Sequence, residues 1–313
     1  MADAVRSADE LMEMLDLPKG GLALNIRECE SFPLLVPRGF VTRMEPGDAH
    51  DPLLRQVLPL AAEEEPSQRV SADPLHESDA VIAPGLLKKY PGRVLLLTTN
   101  ACAMHCRHCF RRCRSEAVGD WQPALEAIAA DDTLHEIILS GGDPLCCDDE
   151  ALAGLAERLS AVRHLQRLRI HSRLPVAIPE RVTDALIDWL TDTRLTPILV
   201  LQVNHPREID DPCAEALRRL VRSGIPVLNQ SVLLRGVNDS DETLADLCER
   251  LIDLGVLPYY LHQLDRVRGA VHFEVPEREG QALIQALRGR LPGYAVPRYV
   301  REVPGQTGKT PLL

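Results

Sequence analysis

The rhythm of apolar positions changes near residue 90. From Arg93 onward, short runs rich in Leu, Ile and Val recur: VLLLTT from Val94, IILSGG from Ile137, LRIHSR from Leu168, PILVLQVN from Pro197, VLNQSVLL from Val227 and VLPYYLHQL from Val256. Between them, apolar residues return every three or four positions in DDEALAGLAERLSAV from Asp148, PERVTDALIDWL from Pro179, PCAEALRRLVRSG from Pro212 and SDETLADLCERLIDLG from Ser240. The last starts on Ser-Asp and stops at glycine, the signals of a capped helix. Six strands alternating with amphipathic helices predict repeated βαβ units and a parallel sheet. The sheet is either open and doubly wound, or a full or partial barrel, and in each case chemistry gathers at the C-terminal strand ends. Residues 1 to about 85 lack this alternation. There the spacing predicts one helix over Asp9–Leu17, ended by Pro18, followed by Pro-rich segments such as FPLLVPRGF. This region is expected to be a helical, loop-rich layer on the main domain.

Composition narrows the class. With 313 residues, 45% hydrophobic and 26% charged, the chain is an ordinary globular protein and not a disordered, collagen-like or disulfide-stapled one. Its net charge of −11 argues against gripping nucleic acid or an anionic membrane by bulk charge. The longest apolar runs, Val94–Leu97 and Ile198–Leu201, are far too short to span a bilayer. The N-terminus mixes acids with apolar residues and carries no secretory signal, so a cytoplasmic location is expected.

The nine cysteines carry the first chemical signal. Their odd number and uneven spacing do not suit a disulfide framework. Four of them fall within TTNACAMHCRHCFRRC, where Cys102, Cys106 and Cys109 form C-x3-C-x2-C just after the first strand. Three close thiolates can hold three irons of a cubane and leave the fourth open. The rival is a zinc site that borrows Cys113 or His108. In GQTGKT near the chain end, Val303 stands where a P-loop needs its first glycine and no helix can follow, which leaves a frayed polar tail as the plain alternative there.

The cysteine spacing in this position is the signature of radical S-adenosylmethionine enzymes. More closely, YPGRVLLLTTNACAMHCRHCFRR, LSGGDPL, RIHSRLPV, NHP, NQSVLLRGVND, PYYLHQLD and PGQTGKTP resemble, in order, the lysine 2,3-aminomutase family. FPLLVPRGFVTRM and DPLLRQVLP resemble its bacterial branch that supplies β-lysine for modifying elongation factor P. The resemblance implies an α/β fold, a partial (β/α)6 barrel, divided into residues 1–85 (helical extension), 86–290 (barrel) and 291–313 (a C-terminal segment). It implies conversion of L-lysine to (R)-β-lysine with a 4Fe-4S cluster, S-adenosylmethionine and pyridoxal 5′-phosphate, an electron donor such as flavodoxin or ferredoxin, and an elongation factor P ligase as pathway partner.

By the same resemblance, Cys102, Cys106 and Cys109 hold the cluster. Ser140, Gly141, Gly142 and Asp143, with Asn204, His205 and Gln230, match positions near S-adenosylmethionine. Lys309 matches the pyridoxal lysine, and Lys89, Tyr90 and Arg93 the phosphate cluster. Arg111 matches the carboxylate-binding arginine, against the plain reading of a solvated run with Arg107, Arg112 and Arg114. Asp265 and Glu302 match acids around the substrate's side-chain ammonium. Lys89 stands for a frequent arginine and Glu302 for an aspartate. Ser240 replaces a zinc cysteine and the chain stops at Leu313, which together predict no structural zinc and a different or smaller assembly. The alternatives are an aminomutase of lysine catabolism or of another cationic amino acid, a radical S-adenosylmethionine enzyme that has lost pyridoxal chemistry, and a zinc-stabilised binding module without catalysis.

Overall fold

The computed structural model describes residues 3–18, 26, 32–65, 67, 70–113 and 119–313. A short antiparallel ribbon joins β1 (Ala4–Val5) to β2 (Val36–Pro37). Among the described residues the main sheet has ten strands: β3 (Val81–Ala83), β4 (Leu86–Tyr90), β5 (Arg93–Thr99), β6 (Glu136–Gly141), β7 (Arg167–Ser172), β8 (Thr196–Leu201), β9 (Val227–Val232), β10 (Leu257–His262), β11 (Arg298–Arg301) and β12 (Thr310–Pro311). They lie side by side in chain order. Strands β5 to β11 run parallel, while β3, β4 and β12 are antiparallel additions at the two edges. The fold is an α/β partial barrel, and β5 to β10 are the six strands expected from the sequence.

Period-two alternation gives the sheet two faces. Leu96, Ile137, Leu139, Leu168, Ile170, Leu199 and Leu201 turn outward and pack with Leu152, Leu186, Leu217 and Leu251 of the covering helices. Their neighbours Leu97, Ile138, Ser140, Arg169, His171, Ile198 and Gln230 turn inward and line a cavity. Polar residues inside otherwise apolar strands thus mark the cavity face.

The helices follow their caps. Asp148 accepts from the Ala151 N–H at 2.7 Å, and Ser240 from that of Thr243 at 3.2 Å. The helix Asp241–Asp253 stops before Gly255, whose φ of +78° suits glycine. The expected helix from Pro179 begins only at Asp184, where Thr183 caps the Leu186 N–H; Pro179–Arg181 is a separate 3-10 turn. Toward the N-terminus the helix is Ala8–Met14, capped by Ser7. Asp16 turns the chain at φ +51°, two residues ahead of Pro18. Helices Gln122–Ala130 and Glu277–Arg290 also form, the first in the gap between β5 and β6 that the strand–helix alternation implies. The C-terminal residues are not a frayed tail, because β11 and β12 pair Arg301 with Thr310.

The N-terminal layer has its own apolar cluster, including Leu11, Phe40, Leu53 and Leu54, which takes in Met104 and borders Cys106. It also grips the cysteine loop. Leu35 accepts from the His105 N–H at 2.9 Å, and Gln56 from the Arg107 N–H at 2.8 Å. Arg107 is wholly buried, and its guanidinium forks onto Glu63, to which Arg112 also donates. Two members of the basic run that the plain alternative takes as solvated are therefore interior; Arg114 lies outside the described residues. No helix among the described residues is long and apolar enough to cross a membrane.

Glu63→Gln would leave two buried guanidinium groups without their anion and is expected to cost about 3–5 kcal/mol, read as a lower urea midpoint. Burial raises the Glu63 carboxyl, but Arg107 and then Arg112 outweigh it and hold it below its usual 4.5. Its contribution is therefore fully present above pH 4.5 and is lost as the pH falls through the depressed value. Urea midpoints taken across pH 3–6 should show this slope in the parent and a flatter one in Glu63→Gln.

Candidate functional site

The inner face of the sheet and the cysteine loop enclose a cavity of about 780 Å3. Cys102, Cys106, Cys109, Arg111, Ser140, Gly141, Gly142, Asp143, Gln230, Lys89, Tyr90, Arg93, Asp265, Glu302 and Lys309 all line it. Asn204 and His205 do not line it. His205 caps a 3-10 turn, accepting from the Arg207 N–H at 3.2 Å. Asn204 is fully buried and ties Gln56 to the backbone of Val232.

The glycine pair is there for a reason the motif did not reveal. Gly141 has φ +124°, and a Cβ on Gly142 would strike the Ala101 carbonyl. The Gly142 N–H donates to Thr99 O at 2.6 Å, and that of Asp143 to Ala101 O at 2.8 Å. The end of β6 thus fastens directly to the start of the cysteine loop. Asp143 is also a structural anchor, accepting from Ser172 Oγ at 2.7 Å and from the Arg173 N–H at 2.6 Å.

Burial pushes the Cys109 thiol up to about 11, and Cys106 adds to the rise. Burial raises Cys102 as well, with Cys109 and Asp143 reinforcing it. Several thiolates in one buried place need a strong cationic partner, as a metal cluster would be. Among the described residues, no three His, Cys, Asp or Glu groups converge tightly enough to hold one metal ion. His108, a borrowed ligand in the zinc alternative, has its Nε2 3.3 Å from Asn204 Nδ2 and a buried Nδ1 with no hydrogen-bond partner among the described residues. Three thiols that line one cavity suit a polynuclear cluster, in which each thiolate takes its own iron.

At the other side of the cavity, cations and carboxylates alternate. Lys309, just before β12, donates to Glu302, just after β11, at 2.7 Å. Glu302 also pairs with Lys89 of β4. Burial raises the Glu302 carboxyl, but Lys309 and Lys89 outweigh it and bring it to about 2. Burial and then Glu302 push Asp265 up to about 7, against the pull of Lys309 and Lys89. Arg93 lies over the Tyr90 ring at 4.6 Å.

Sequence reading missed Glu77. It is 1% exposed and receives a two-pronged bond from Arg111, at 2.8 Å on each oxygen, and Lys89 lies 3.6 Å away. Arg111 also donates to Ser140 Oγ at 3.0 Å. His171 and His262 were missed as well. Burial, followed by charges that include Lys309, holds both imidazoles well below their usual pKa, so both are neutral at pH 7. Their Nε2 atoms are buried in the cavity wall with no hydrogen-bond partner among the described residues. Such atoms call for a polar ligand or water. Histidines inside β-runs gave no sequence signal beyond their break in an apolar pattern.

No protein-family model matches the chain. It is 46% identical over 318 residues to L-lysine 2,3-aminomutase of Escherichia coli (strain K12), covering 100% of this chain and 93% of that protein. It is 36% identical over 317 residues to L-lysine 2,3-aminomutase of Clostridium subterminale, covering 99% of this chain and 76% of that protein. Among solved structures, Streptococcus suis SuiB bound to S-adenosylmethionine aligns with a TM-score of 0.52 at 13% identity, over 69% of this chain and 51% of SuiB. That likeness covers about half of SuiB and concerns the fold. The cysteine loop and the Lys309 hairpin both fall inside the alignment that spans the whole chain, and on that alignment the chain belongs to the lysine 2,3-aminomutase family.

Proposed function

We infer that the protein converts L-α-lysine to (R)-β-lysine by a 1,2-amino shift. One observation carries this reading: a single cavity holds three clustered cysteines, a lysine amine and the paired charges that an amino acid with a cationic side chain requires. Cys102, Cys106 and Cys109 would hold a 4Fe-4S cluster, and Ser140, Gly141, Gly142 and Gln230 would border S-adenosylmethionine. Lys309 would bind pyridoxal 5′-phosphate, with Lys89, Tyr90 and Arg93 toward its phosphate. When bound, these groups supply the radical chemistry and the electron sink for the shift.

The remaining work belongs to the chain. Arg111 presents a cation whose orientation is fixed by Glu77 and Ser140, suited to a substrate carboxylate. Glu302 is balanced between two lysines. Once Lys309 is engaged elsewhere, Glu302 is short of one cation, and a substrate ammonium can replace it. Asp265 supplies the second acid. A glutamate substrate would face these carboxylates with the wrong charge. We assign the product to modification of elongation factor P, with flavodoxin or ferredoxin as electron donor, on the resemblance of FPLLVPRGFVTRM and DPLLRQVLP to that branch. The cytoplasm is the compartment that suits this role. The division at residues 85 and 290 is one of function, into a loop-gripping layer, a cofactor barrel and the Lys309 segment, because one sheet runs through all three, with β3 before residue 85 and β11 and β12 after residue 290.

The deciding experiment is anaerobic incubation of reconstituted protein with L-lysine, S-adenosylmethionine, pyridoxal phosphate and a reductant. β-Lysine is expected, and its absence beside released deoxyadenosine would move the reading to another substrate. Cys106→Ala should lose iron and all product. Lys309→Ala should keep its iron and lose the pyridoxal absorbance, and full activity in either variant would overturn the assignment.

Asp265 gives a pH test. Its raised pKa of about 7 keeps it protonated below that pH and anionic above it. A cationic side chain binds the anion, so KM for lysine should fall as pH rises through about 7. Asp265→Asn should raise KM and flatten that profile, with kcat less affected.

A further inference from the structure

Arg173 follows β7 and is not used by the site described above. Its guanidinium is buried, and Nη1 donates to Cys106 Sγ at 2.9 Å. The opposite edge is fixed: Nη2 donates to Gln56 Oε1 at 2.7 Å and to Glu208 Oε2 at 2.9 Å. Glu208 is itself 0% exposed and accepts from the N–H groups of Asn204 and His205. The Arg173 backbone N–H is held by Asp143. A permanent cation is thus locked onto a sulfur, with its charge balanced on the far side.

We propose that Arg173 sets the reduction potential of the cluster through Cys106. This rests on the cluster assignment made above. The couple adds one electron to the oxidised 4Fe-4S cluster, with no bond broken and no proton moved, and in the test the electron comes from dithionite. A guanidinium donating to a ligating thiolate stabilises the more negative, reduced state, and so raises the potential. The interaction also gives the buried polar network of Gln56, Asn204 and Glu208 a part in fixing the cation on Cys106. A guanidinium keeps its positive charge in proteins.

The test is a redox titration of the reconstituted holoprotein, followed by the electron paramagnetic resonance signal of the reduced cluster. Arg173→Lys keeps a charge beside Glu208, and Arg173→Gln removes it. Iron and sulfide should remain at parent levels in Arg173→Lys. At a poise where the parent cluster is half reduced, the reduced-to-oxidised ratio should drop about tenfold in Arg173→Gln, a shift of about 59 mV for one electron, and by less in Arg173→Lys. Equal iron with an unmoved potential in both variants overturns the proposal. If the variants do not fold, parent protein labelled with 15N in its arginine guanidinium groups decides: a weak nitrogen coupling to the reduced cluster is expected, and its absence overturns the idea. A parent protein that retains no iron and sulfide overturns the cluster assignment itself, and the inference with it.

Discussion

Six cations in and beside the cavity are anchored by buried or nearly buried carboxylates, and the site depends on that constraint. Glu63 holds Arg107 and Arg112, Glu77 holds Arg111, Glu208 holds Arg173, and Glu302 holds Lys89 and Lys309. A buried charge without its partner costs several kcal/mol, so each pair fixes two segments of chain at once. Because the partners come from distant segments, the pairs also act as fasteners. Glu63 lies 44 residues from Arg107, and Glu208 lies 35 from Arg173. The N-terminal layer is therefore part of the site, since it supplies the anion and the backbone carbonyls that shape the cysteine loop.

The Lys89–Glu302 pair has a second consequence. Lys89 is on β4 and Glu302 follows β11, near opposite ends of the ten-strand order. A partial barrel has no hydrogen-bonded seam between its edges. Here charge bridges that gap, and it does so inside the cavity. Edge closure and ligand binding then draw on the same groups. A ligand that engages Lys309 or Lys89 changes the balance at Glu302, so the seam and the site respond together.

Much of this was legible beforehand. Strands β5 to β10 follow directly from short β-branched and Leu-rich runs, and Ser240, Asp148 and Gly255 mark helix ends through their side chains or backbone freedom. Local chemistry writes such features into adjacent residues. The cysteine loop and the Lys309 segment were visible through family motifs, and the structure brings both to one cavity. What stayed hidden is long-range. Glu77 sits in an irregular stretch with no periodic pattern, and only its contact with Arg111 gives it meaning. Strand β11 is four residues long and reads as tail until it pairs with β10. His205 shows how far a motif reaches: the motif is present, and its ring caps a turn and does not line the cavity.

The same logic reinterprets the SGGD motif. By the family resemblance, its residues match positions near S-adenosylmethionine. The structure shows the backbone of 99–101 against the glycines, with Gly142 and Asp143 bonded to it. The motif joins three things: the end of β6, the first ligand loop, and, through Asp143, the segment that carries Arg173. A change at Gly142 would therefore displace Cys102 and Arg173 together. The glycines and the aspartate act on the chemistry through position, by setting where the sulfurs and their cation stand, and the binding surface for any cofactor is a result of that arrangement.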